Sequence, residues 1–410
     1  MSAAPGKPVA VPRPWLIAVT ILLVLPWLVV GYVYQRGSAP VPDRAAPVAQ
    51  QTTASGPWGN LILTPIVISP PIEYVSTDLW PAATLTWTFP GSTIDEVENF
   101  LNVSGLTPAD VARLKAASTP DPRIHGIVIT PPMDLVERLT PEVRGRIYLQ
   151  LGRSGLNFEQ AQAFRFETGS LDDWLKGAPI QAATRQLVEP YFYREGNFLY
   201  FADLGLLEPK IADREEFRRL TKALFRQPSV LVDLSLGPGG DVATIAQYWG
   251  KGGRRTDIRP LLDSIAGTSA HTDIAHLLPA FARDHLYRYP RVSTADFDKP
   301  ILANCLWSSL NFFNAVPDDS MLDVNKAIDR LKTQYYVVEA DFELGDIVAF
   351  VDEKDNLFHV AVYLADGLLF SKNGMSVMAP WTITSIDSVK AFYSTRSQHP
   401  RVIVHRRNDL

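Results

Sequence analysis

The only cysteine among 410 residues, Cys305, lies in "ILANCLWSSLNFFN" (301–314), surrounded by small polar and aromatic residues. Downstream, His359 interrupts the apolar run "FHVAVYL" (358–364), and Asn373 follows in "SKNG". A thiol, an imidazole and a carboxamide can together perform acyl transfer. The imidazole takes the thiol proton, the thiolate attacks a carbonyl carbon, and the carboxamide holds the imidazole in the required tautomer. Ser371 offers an alternative orienting group. Each residue also has a structural reading. Cys305 could be a packed thiol or pair with a second molecule. His359 could be a satisfied sheet residue, and Asn373 the left-handed residue of an Asn-Gly turn.

Those groups work only if local structure presents them. Residues 306–315 can form a helix beginning at or just after Cys305, where unpaired backbone N–H groups favour thiolate. A second helical segment, "DVNKAIDRLKTQ" (323–334), precedes four strand candidates: 335–340, 346–351, 358–364 and 368–371. "EKDN" and "ADG" are turn formers, which predicts an antiparallel meander over the last three strands. Strand alternation sets Phe358, Val360, Val362 and Leu364 against His359, Ala361 and Tyr363, with the small Ala361 leaving room beside the imidazole. A helix followed by antiparallel strands predicts an α+β domain with the helix packed on the sheet.

Asn304-Cys305-Leu306 at a helix start, Gly345-Asp346 in "LGDIVAF" and His359 opening "HVAVYL" resemble the NlpC/P60 superfamily of papain-like cysteine hydrolases, over residues 300–380. The resemblance implies Cys305 as nucleophile, His359 as base and a third position on the following strand, assigned to Asn373. It implies cleavage of amide bonds, with peptidoglycan peptides or another amide compound as substrate. Where the family usually has Asp before the cysteine and Ser-Gly after it, this chain has Asn304 and Leu306-Trp307. Trp307 and Tyr363 are candidates for lining the cleft. No metal or organic cofactor is implied.

"WLIAVTILLVLPWLVVGYVY" (15–34) carries no charge and is long enough to span a bilayer as a helix, with Pro26 as a kink. A cleaved signal peptide is the alternative, and either reading places the rest of the chain outside the cytoplasm. The expected organisation is a cytoplasmic 1–14, an anchor at 15–34, a flexible linker at 35–59, a mainly helical region at 60–290 and a papain-like hydrolase domain at 291–410. Helix starts are predicted at Thr107-Pro108 and Thr140-Pro141, and an amphipathic helix at 214–225 with Phe217, Leu220 and Leu224 on one face. The middle region could recognise a protein partner. A net charge of -5 without a basic stripe argues against nucleic acid. "LGPGGD" (236–241) lacks the Lys-Ser/Thr ending of a phosphate loop and is read as a turn without a strand-to-helix frame. His271, His276 and His285 lack metal-ligand spacing, and His125, His399 and His405 suit local hydrogen bonding.

Overall fold

Six antiparallel strands downstream of residue 334 form one sheet, in the spatial order Tyr335–Val338, Arg401–Arg407, Ile347–Val351, Leu357–Ala365, Leu368–Lys372 and Trp381–Ser385. The structure is a computed structural model describing residues 51–53, 55–75, 85–237, 239–268, 270–291, 303–394 and 399–410. The predicted meander is present and runs one strand further, to Ser385. The last strand, Arg401–Arg407, returns to pair between the first two segments, which sequence reasoning did not foresee. Helix Cys305–Leu310 packs on Leu357–Ala365 and Leu368–Lys372, and stops at Leu310, short of the 315 expected. The chain is thus a mixed α and β structure.

The sheet has two different faces. Val360, Val362, Leu368, Phe370 and Ile383 join a core with Leu306, Trp307 and Leu310. Val348, Phe350, Ala361, Tyr363 and Leu369 point the other way, against Val389 and Val404. Both sets follow from the period of two along each strand. The bend before Ile347–Val351 depends on Gly345, whose φ of +93° suits glycine and where a Cβ would lie 2.2 Å from the Phe313 ring. Asp346 beside it is buried, accepting the Glu343 N–H at 2.8 Å and two N–H groups of Arg406 at 2.9 and 2.8 Å. The Gly-Asp pair therefore tethers the last strand to the sheet.

Upstream, the expected helices form. Thr107 and Thr140 cap Pro108–Ala116 and Pro141–Leu151, and Arg214–Leu224 buries Phe217, Leu220 and Leu224. Strands are woven among these helices. Asn60–Ile68 pairs along its whole length with Gln227–Ser235, and two three-stranded sheets lie between them in sequence. One contains the hairpin Tyr193–Glu195/Phe198–Phe201, turned by Gly196 at φ +54°. Its Gly-Asn loop between aromatic runs is a hairpin signal outweighed by the neighbouring helical periodicity.

Two other expectations are corrected. "LGPGGD" does join a strand, Gln227–Ser235, to a helix, Val242–Trp249, but the Asp241 carboxylate caps that helix by accepting the Thr244 N–H at 3.0 Å. A phosphate would meet a negative charge there. Residues 51–59, expected within the linker, include Gln51–Thr52 paired with Asn60–Ile68, and the Trp58 carbonyl accepts the Trp249 indole N–H at 2.9 Å. Nor does the apolar core divide at 290/291. Val232, Leu234, Trp249, Leu262 and Phe281 share it with the Cys305 helix, and Ser229 bonds both polar groups of the Ile383 backbone. The anchor expected at 15–34 lies outside the described residues, among which no helix is long and apolar enough to cross a membrane.

Candidate active site

Asn304 explains where the Cys305 helix begins. Its side-chain oxygen accepts the Trp307 N–H at 2.8 Å, satisfying one first-turn donor. Its carbonyl accepts the Ser308 hydroxyl at 2.7 Å, and Ser308 in turn accepts the Trp381 indole N–H at 2.9 Å. The helix start is thereby fastened to the sheet, and Cys305 becomes partly buried against the Val360 face. Burial pushes its thiol up. The backbone N–H groups of Val360, Leu306 and Cys305 pull it back, as does the charge of Lys372.

Lys372 was not anticipated as a site residue. It ends the strand Leu368–Lys372 in phase with Leu368 and Phe370, so its side chain enters the core beside the Cys305 helix, and its relative exposure is 0%. The Nζ donates to the carbonyls of Gly374 and Ser376, both at 3.0 Å, and lies 5.5 Å from the centre of the Trp381 ring. Among the described residues no carboxylate pairs with it. Burial pushes this amine down to about 7, with Cys305 pulling the other way. A neutral amine donating two N–H bonds keeps its lone pair free. The signal was visible: a lysine in phase with strand-core residues.

His359 is fully buried on the other face, stacked on Tyr393 at 4.8 Å and paired across the strands with Phe350. Its ring nitrogens are taken. Nδ1 lies 3.2 Å from the Tyr393 hydroxyl and Nε2 lies 3.0 Å from the Ser371 hydroxyl. Ser371 donates onward to Asn373 Oδ1 at 3.2 Å. Since Ser371 spends its proton on Asn373, it accepts from Nε2–H, which leaves Nδ1 to accept from Tyr393. Burial pushes the imidazole down to about 3, so it is neutral.

The structure therefore brings His359, Ser371 and Asn373 together and leaves Cys305 out. The thiol meets the peptide N–H of Val360, one residue beyond His359, while the imidazole turns to the opposite side of the strand. Alternation is the physical reason: a helix packed on Val360 and Val362 cannot face the His359 ring. Ser371, the alternative orienting group, contacts the ring, and Asn373 acts through it. The space expected beside Ala361 is closed, since Ala361 has no exposed surface. Tyr363 lines a separate cleft with Trp58, Tyr248 and Lys251, and Trp307 is buried with its indole N–H on Asp319 at 3.2 Å. No sequence feature marked Tyr393 beyond its place after a predicted core.

Elsewhere, the His285 ring packs between Phe281 and Trp381, with Nδ1 2.7 Å from the Phe281 carbonyl. Among the described residues no group of three or more His, Cys, Asp and Glu is placed to hold a metal ion. Comparison with family models, curated proteins and solved structures finds no match to this chain.

Proposed function

We propose that this chain is a thiol hydrolase of amide bonds in which Cys305 is the nucleophile and Lys372 carries the proton. The supporting observation is the Lys372 amine, buried within electrostatic reach of the thiol, with no carboxylate partner among the described residues, and pushed down to about 7. The neutral amine takes the proton from Cys305 as sulfur bonds to the substrate carbonyl carbon. The resulting ammonium returns that proton to the amine that leaves when the C–N bond breaks. Water then attacks the thioester with the Lys372 amine as base, releasing the acid and restoring the thiol.

A papain-like NlpC/P60 relation, with a helix opened by cysteine against an antiparallel sheet, belongs to this proposal, as do peptidoglycan peptides as substrates. So do a membrane anchor at 15–34 and an extracytoplasmic location, which rest on the uncharged segment alone. His359 and Asn373 keep no direct part in the chemistry. To test the reading, the full chain is incubated with peptidoglycan-derived peptides and quenched in acid. A mass increase on the Cys305 peptide equal to the acyl fragment is expected. Peptide cleavage persisting in Cys305→Ala would overturn it. The second reading, an envelope-associated binding protein without catalysis, is favoured by one observation: a cleft of about 850 Å³ touches Asn373 and Tyr393 but not Cys305.

A further inference from the structure

That cleft has a volume of about 850 Å³, within the size range of small-molecule sites. Its walls come from the region 152–165, the end of helix Arg214–Leu224 and the loop 373–379. Phe164, Phe225, Phe392 and Met378 supply much of the apolar lining. Two apolar side chains at the same cleft stay in water, Phe158 at 68% and Met375 at 57% exposure. Large apolar groups left wet around one concavity mark a binding surface.

One wall carries a fixed polar group. Asn373 lines the cleft, and its Oδ1 is committed to the Ser371 hydroxyl. With the Ser371 hydroxyl donating to Oδ1 and His359 Nε2–H donating to Ser371, the amide oxygen belongs to the network. Its NH2 end is left pointing away from the network, with no protein partner among the described residues. The charged groups discriminate as well. The Arg165 guanidinium is spent on the Phe392 carbonyl at 2.7 Å and on the Phe392 ring at 3.7 Å. Arg153 is exposed, and Glu159 is half-buried in the lining, where a ligand carboxylate would meet it.

We propose that this cleft binds an uncharged aromatic carbonyl compound, with its rings among the phenylalanines and methionines and its oxygen on the Asn373 amide. Buried His359 is then a positioning residue that fixes which end of Asn373 faces the ligand. The site stands whether or not Cys305 is catalytic, because neither Cys305 nor Lys372 lines the cleft.

The test uses benzophenone, an uncharged diaryl ketone that inserts into nearby C–H bonds under ultraviolet light and favours methionine. Irradiated with the full chain, it should label saturably, with adducts on the peptides carrying Met375 and Met378. Asn373→Asp, which exchanges the donor for a repelling oxygen, should raise the half-saturating concentration about tenfold or more. Phe158→Ala alters only an exposed side chain and should raise it several-fold. 4-Benzoylbenzoate, the carboxylate analogue, should label at least tenfold less well. Labelling that does not saturate, that maps elsewhere, or that both variants leave unchanged would overturn the site. Equal or better labelling by the carboxylate would overturn the ligand class.

Discussion

Among the described residues two cations, Arg144 and Lys372, are completely buried, and their surroundings differ. Arg144, in the upstream core, has Asp203 beside it, with Tyr148 donating to the same carboxylate at 2.7 Å and the Val136 carbonyl accepting at 2.8 Å. Lys372, in the core of the six-stranded sheet, has two carbonyls, an indole face and a thiol. A carboxylate balances the first charge. Among the described residues nothing comparable balances the second, so the amine surrenders its proton near pH 7 instead of holding it to its ordinary value. Equal burial thus yields an ion pair in one region and a group poised for proton transfer in the other.

The largest expected effect falls on the paired cation. Arg144→Met strands a buried carboxylate and should cost about 3–5 kcal/mol of stability in urea unfolding. An effect below 1 kcal/mol would dissolve the contrast. The neutral imidazole comes next. His359 is held at about 3 against an ordinary value of 6.5, so between those values the unfolded chain binds a proton that the folded one does not. Stability therefore rises with pH across that window, and acidifying from pH 7 to 4 should remove roughly 3 kcal/mol through this group. His359→Gln should flatten that slope in unfolding titrations.

Lys372→Met should behave opposite to Arg144→Met. Folded Lys372 loses its proton near pH 7 and unfolded Lys372 near its ordinary value, so wild-type stability rises with pH above about 7 through this group. The Cys305 thiol, pushed up by burial, acts in the reverse sense above its own ordinary value. Below pH 7 the full cost of the buried ammonium is felt. The variant should then equal or exceed wild type by about 1–3 kcal/mol at pH 6, with the gap shrinking by pH 8.5. The smallest effect belongs to the helix cap: Asn304→Ala should cost about 1 kcal/mol in the same assay.

Much of the sheet was legible because its strands alternate and its turns use Gly, Asp and Asn. The Cys305 helix start was legible, since residues 306–315 read as helical from Cys305 onward and the helix begins at Cys305. Which face the helix covers was not. Cys305 and His359 lie 54 positions apart, and their pairing depends on packing that strand periodicity leaves open. Given that face, Lys372 in phase with Phe370 points to the thiol, and Ser371 to His359. The long pairing of Asn60–Ile68 with Gln227–Ser235 was hidden by Pro65 and by near-continuous apolar character, which carries no clear period. The return of Arg401–Arg407 into the sheet, where it pairs with both Tyr335–Val338 and Ile347–Val351 and sets Arg406 against Asp346, is announced by no local pattern.

Because Cys305 is the only cysteine, alkylation of the intact chain reports on it alone. The decisive measurement is the second-order rate of iodoacetamide labelling against pH for wild type, Lys372→Met and His359→Ala. If Lys372 is the proton partner, the wild-type rate should rise with an apparent value near 7, belonging to the thiol–amine pair. Lys372→Met should move that rise above the ordinary thiol range, and His359→Ala should leave it in place. A rise near 7 that survives in Lys372→Met and disappears in His359→Ala would contradict the account and return the imidazole to the thiol.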